Sequence, residues 1–136
     1  MTTVESYRDL IAWQKAIALA KAVYLACEQF PNHETYAISS QVKRSVTSVA
    51  ANIAEGHSRF ATRDYIRFIN IAYGSLAETE THLILANELG MVDKTTIGPL
   101  LEQAAELGRI INGLKRALLK KLPESRILNP ESCEPA

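Results

Sequence analysis

The sequence predicts an all-α protein, an antiparallel up-down-up-down four-helix bundle. Three observations carry that reading. Apolar residues recur at spacings of three and four along four separate segments, the period of a helix that buries one face. Proline, glycine and aspartate or asparagine stand between those segments, where helices stop and start. The composition, 47% hydrophobic but only 7% aromatic over 136 residues, suits closely packed helices better than sheets. A chain of this length makes one domain with a core large enough to dispense with staples.

The first segment runs from about Arg8 to Phe30. Leu10, Trp13, Ile17, Ala20, Tyr24 and Cys27 alternate at the helical spacing and are the predicted core face. Ile11, Ala18 and Leu25 form a second apolar set on a neighbouring face. A surface helix ordinarily shows water a broad polar stripe, so this second set predicts an interface with another subunit. Pro31 ends the helix because it cannot continue the hydrogen-bond ladder.

Asn32 is the expected cap of the second helix, with Glu34 near its positive end. Ile38, Val42, Val46, Val49 and Ile53 point inward, and Gly56 is the expected stop. Thr62 is the expected cap of the third helix, whose inward residues are Tyr65, Ile69, Ala72, Leu76, Thr79, Leu83 and Ala86 before Gly90. The fourth helix carries Ile97, Leu100, Ala104, Leu107, Ile111, Leu114 and Leu118 inward. Two starts compete for it: Asp93 as the cap, or a start nearer Thr96 that keeps Pro99 within the first turn. Lys115, Arg116, Lys120 and Lys121 gather where the helix dipole favours cations. Residues 1–122 are thus the bundle, and residues 123–136, rich in Pro, Glu and Ser, are predicted to be a disordered tail.

Formal net charge is +0, so no global field draws the chain to polyanions. Cys27 and Cys133 lie in unlike settings and make no disulfide framework, which points to a reducing compartment. The first residues lack the basic region and apolar stretch of a secretory signal, so the expected location is the cytoplasm. No nucleophile elbow, phosphate loop, zinc-ligand spacing or dinucleotide fingerprint is present. Glu78 and His82 share a helical face, but a di-iron bundle needs a Glu-x-x-His unit on each of two helices. Neither a catalytic group, a metal site nor a cofactor is predicted.

Two sets of polar residues remain. Asn52, Glu55 and Ser75 lie on or beside apolar faces and are expected to form a structural polar network between the second and third helices. Lys43, Arg44, Arg59, Arg63 and Arg67 are the candidate nucleic-acid-binding residues. Arginines early in a helix oppose its dipole, so their placement points to an anionic partner, while a solvated face with Asp64 and Arg67 paired is the plainer alternative.

Several ordered motifs occur together: Asp9-Leu10-Ile11-Ala12-Trp13-Gln14-Lys15-Ala16, Phe30-Pro31, Ser40-Gln41-Val42-Lys43-Arg44, Asn52-Ile53-Ala54-Glu55-Gly56, Tyr65-Ile66-Arg67-Phe68, Gly74-Ser75-Leu76-Ala77-Glu78, Leu89-Gly90 and Gly108-Arg109-Ile110-Ile111-Asn112-Gly113. In this order they resemble the bacterial four-helix-bundle proteins of 23S ribosomal RNA intervening sequences, also called S23 ribosomal proteins. The resemblance covers about residues 7–120. It implies a left-handed bundle assembled into a ring-shaped homopentamer, and no catalytic residues. It also implies kinship with the accessory proteins of diversity-generating retroelements, which bind a reverse transcriptase and nucleic acid through a basic surface. This chain departs from the pattern in having Ala50 where proline is common, and in being neutral where the retroelement proteins are basic. The resulting expectation is a non-enzymatic oligomeric scaffold for RNA, DNA or a nucleic-acid-handling partner, with a pure protein–protein module as the alternative.

Overall fold

A computed structural model describes residues 4–31 and 35–123. The proposed Asn32 cap, Glu34 and the tail beyond Pro123 lie outside the described residues. The chain is all-α: a short 3-10 turn over Tyr7–Asp9, then α1 (Ile11–Cys27), a π-helical turn over Thr35–Ser39, α2 (Ser40–His57), α3 (Thr62–Glu88) and α4 (Lys94–Leu119), with no strand among the described residues.

α1 packs on α2 and α4, and α3 packs on the same two helices, so sequence neighbours are spatial neighbours around a square. Pairs across the α2–α3 and α1–α4 seams show the helices running in opposite directions. On α2 and α3, Ser45 meets Thr79, Ser48 meets Ser75, and Gly56 lies against Phe68. On α1 and α4, Lys15 pairs with Glu106, while Gln29, just past α1, accepts from Thr96. The seam of α1 and α2 joins Tyr24 to Thr47, and that of α3 and α4 sets Gly108 against Leu76. The fold class read from the sequence is therefore present as an antiparallel bundle of four helices.

The inward faces of α2, α3 and α4 follow the apolar period. Val42, Val46, Val49, Ile53, Ile69, Ala72, Leu83, Ala104, Leu107 and Ile111 are all essentially inaccessible, while Tyr65 and Leu114 are half-buried.

α1 is a correction. Its buried residues are Ala12, Ala16, Leu19, Val23, Ala26 and Cys27, one position earlier along the chain than the expected set for all but Cys27. One position is about 100° around a helix. Ile17 and Tyr24, expected in the core, are exposed, and Leu10, Trp13 and Ala20 are only half-buried. The physical reason is size. Turning the alanine-rich face inward lets α1 approach its neighbours closely, with Leu19 and Val23 filling the remaining space. The larger side chains of Ile11, Ile17, Tyr24 and Leu25 are left outside, with exposures of 61, 43, 46 and 56%.

Helix ends bring further corrections. Gly56 does not stop α2, which continues to His57 and is closed by Ser58. The residue before α3 is Ala61 in extended conformation with no side-chain cap; Thr62, the expected cap, is already inside the helix. α4 starts at Lys94, capped by the Asp93 carboxylate accepting from the Thr96 N–H at 2.9 Å. Pro99 consequently sits beyond the first turn, interior to the helix. Gly90 behaves as read: with φ +74 it closes α3, the Met91 N–H donating to Ala86 and the Gly90 N–H to Asn87. No helix among the described residues is long and apolar enough to cross a membrane.

Candidate nucleic-acid interface

The α2–α3 turn is held from both sides. The Ser58 N–H reaches the carbonyls of Ala54 and Glu55, the Arg59 N–H that of Gly56, and the Ser58 hydroxyl that of Glu55 at 2.7 Å. Behind the turn Gly56 permits a close helix crossing. A Cβ there would lie 2.9 Å from Phe68 Cβ and 3.0 Å from Tyr65 Cδ1, closer than side-chain carbons approach. His57 meets Tyr65 edge-to-face at 5.9 Å, and burial pushes the Tyr65 phenol above its ordinary pKa.

On this framework sit three of the five candidate basic residues. The Arg59 guanidinium lies 4.8 Å from the centre of the Phe68 ring and donates to the Glu55 carboxylate at 2.7 Å. Arg67 lies 5.2 Å from the same ring. Arg63, exposed on the first turn of α3, stands between them in sequence. One aromatic ring thus gathers two guanidiniums, whose favourable contact with its negative faces offsets part of their mutual repulsion.

Lys43 and Arg44 are not part of this cluster in one chain. They lie 14 and 13 residues before the end of α2 at His57, which is about 20 Å of helix. Lys43 lies over the Tyr24 ring at 5.2 Å, and Arg44 is exposed. The nearer companions of the arginine cluster are residues assigned by sequence only to the helix dipole. Because the bundle is antiparallel, the end of α4, with Lys115, Arg116, Lys120 and Lys121, lies at the same pole as the α2–α3 turn, as does Arg8 before α1. Against these eight cations this pole holds Glu5, Asp9, Glu55 and Asp64 among the described residues. The other pole holds Glu28, Glu88 and Asp93 with Lys43, Arg44 and Lys94. Among the described residues charge is therefore uneven along the axis, with eight cations against four anions at this pole and three against three at the other. The signal was available once antiparallel packing was assumed, by adding charges end by end instead of over the whole chain.

The polar residues between α2 and α3 form a seam of small side chains. The Ser48 hydroxyl lies 2.9 Å from that of Ser75 and accepts from Asn52 Nδ2 at 2.9 Å; deeper, Ser45 and Thr79 share a hydrogen bond of 2.9 Å. Asn52 and Ser75 thus meet through Ser48. Glu55 does not join them, since its exposed carboxylate turns to Arg59.

Elsewhere, among the described residues, no three His, Cys, Asp or Glu side chains come together as metal ligands would. Cys27 is buried, and burial raises its thiol pKa against weaker opposing pulls from Ser39 and Lys43. A cleft of about 180 Å³ between α3 and α4 is lined by Tyr73, Leu76, Glu80, Gly108, Arg109 and Asn112 among others. That is smaller than the roughly 300–1,000 Å³ of sites that take drug-sized ligands.

Residues 8–113 match the family described as 23S rRNA-intervening sequence protein. The chain belongs to that family. A crystal structure of a protein of unknown function from the S23 ribosomal protein family of Bacteroides thetaiotaomicron VPI-5482 shares its fold, with a TM-score of 0.70 and 22% sequence identity. The alignment covers 77% of this chain and 98% of that one. No curated protein matches the chain. Family membership accounts for the order of the motifs from Asp9 to Asn112 and for the bundle itself. The 23S rRNA-intervening sequence fold thus supplies the frame on which the arginines of this chain are displayed.

Proposed function

We propose that this chain is a non-enzymatic, oligomeric scaffold of the cytoplasm that binds RNA or DNA, or a partner that handles them, through the pole built around the α2–α3 turn. The observation that carries the reading is the gathering of Arg59 and Arg67 on Phe68, with Arg63 exposed on the first turn of α3, at the same end of the bundle as the basic close of α4. Phosphate binding grows with the number of cations that displace counterions, and a ring of subunits multiplies a patch that is modest in one chain. The exposed apolar side chains of α1, Ile11, Ile17, Tyr24 and Leu25 with Ala18 between, support assembly of such a ring, for which the family resemblance implies five subunits. Lys43 and Arg44 then make a separate, secondary contact at the far end of α2.

The test is binding of the purified protein to labelled structured RNA and duplex DNA across a salt series. Binding is expected to weaken steeply with salt, and replacing Arg59, Arg63 and Arg67 by alanine is expected to abolish it and flatten the slope. Absence of binding at low salt by a folded oligomer overturns the reading. It would favour the second one, a protein–protein module docking on the apolar face of α1, whose support is the same set of exposed side chains.

A further inference from the structure

Phe60 is at the apex of the α2–α3 turn with a relative exposure of 108%, as open to water as a side chain can be. Burying a phenylalanine is worth about 1.5–3 kcal/mol, and the fold takes none of it here. Single exposed apolar residues are common and mean little alone. What distinguishes this one is its setting. The turn is fixed on both flanks, by the Ser58 and Arg59 backbone bonds on one side and the Tyr65 N–H donating to the Ala61 carbonyl on the other. Its sequence neighbour Arg59 is held on Phe68, with Arg67 on the same ring. An uncommitted aromatic face therefore stands on a rigid tip, at the pole richest in cations.

We infer that Phe60 is a stacking platform for an unpaired nucleobase, with Arg59 and Arg67 holding the phosphates beside it. This deepens the proposed function and rests on it. The chemistry selects single-stranded or looped nucleic acid. In a duplex both faces of each base are covered by its neighbours, whereas an unpaired base offers a π face to an aromatic side chain whatever its identity. Arginine planes beside the ring can stack on flanking bases as well as hydrogen-bond phosphate oxygens. The interface would then prefer loops, bulges or free strands over perfect helices, with little sequence preference.

The experiment compares the full-length protein with Phe60→Ala, Phe60→Trp and the combined Arg59→Ala/Arg63→Ala/Arg67→Ala variant. Each is titrated with one labelled oligoribonucleotide as a single strand and as its perfect duplex, at several salt concentrations, with oligomeric mass measured alongside. Because Phe60 is fully exposed, its replacement is expected to leave folding and mass unchanged. Phe60→Ala is expected to weaken single-strand binding by about 5- to 150-fold, the range for loss of one base–aromatic stack. Duplex binding and the salt slope should hold, and Phe60→Trp should keep wild-type affinity. Single-strand binding by Phe60→Ala equal to wild type overturns the inference, as does an equal loss on both nucleic acids. A change in oligomeric mass also overturns it, by showing the ring buried between subunits. If the triple arginine variant alone loses binding, the stacking platform fails and the proposed function stands. If the wild-type protein binds neither nucleic acid, both fall.

Discussion

Gly56 illustrates how a single residue's role depends on a neighbour that sequence does not reveal. Glycine near a helix end suggests a C-terminal stop, and the chain duly turns two residues later. Yet Gly56 keeps helical geometry, and the absence of its Cβ lets Phe68 and Tyr65 lie against the α2 backbone. Gly56→Ala gains helix propensity but forces a methyl group to 2.9 Å from Phe68 Cβ. The clash is expected to win, with a net loss of about 1–3 kcal/mol, read as a lower midpoint in urea at unchanged slope. Phe68 also holds Arg59 and Arg67, so the same substitution disturbs the candidate interface. Glu55 shows the opposite case: its place beside an apolar face suggested a buried network, but four residues on stands Arg59, and the exposed pair forms instead.

Among the elements, α1 is where periodicity alone misleads. An alanine-rich helix with apolar residues on several faces has more than one stripe of the correct period, and only its fit against α2 and α4 selects between them. Leu19 is fully buried and Leu25 is 56% exposed, so the two leucines test the observed face. Leu19→Ala is expected to cost about 2–5 kcal/mol, whereas Leu25→Ala should leave chain stability nearly unchanged at concentrations too low for association. Equal costs in thermal or urea melts would mean that the face carrying Leu19 is not the one α1 buries. At the start of α4, hydrogen bonds from the Thr95 hydroxyl and the Thr96 N–H hold the Asp93 pKa below its ordinary value. A carboxylate depressed in the folded state stabilises above its unfolded pKa, and that contribution fades as pH falls through the folded one. Asp93→Asn, which keeps the cap but cannot titrate, is therefore expected to flatten the dependence of stability on pH in the acid range and not near neutrality.

The molecule as a whole is neutral in sum, yet among the described residues cations outnumber anions at the pole of the α2–α3 turn and the α4 terminus and balance them at the other. The proposed ring places a further demand on its side, the apolar strip of α1. Lysines at Ile11 and Leu25, both already exposed, should reduce the oligomeric mass in sedimentation while helical content holds; an unchanged mass would remove α1 from the interface. The four-helix class, the core faces of α2, α3 and α4, the Gly90 closure and the family were legible in the sequence. They depend on local rules, namely period, punctuation, backbone freedom at glycine and motif order, each expressed within a few residues along the chain. The tertiary structure alone decided which face of α1 is buried, why Gly56 is glycine, which serines and threonines pair across α2 and α3, and which basic residues stand together. Those outcomes depend on how closely two helices approach and which of their ends coincide, quantities set between segments distant in sequence and carried by no single one of them.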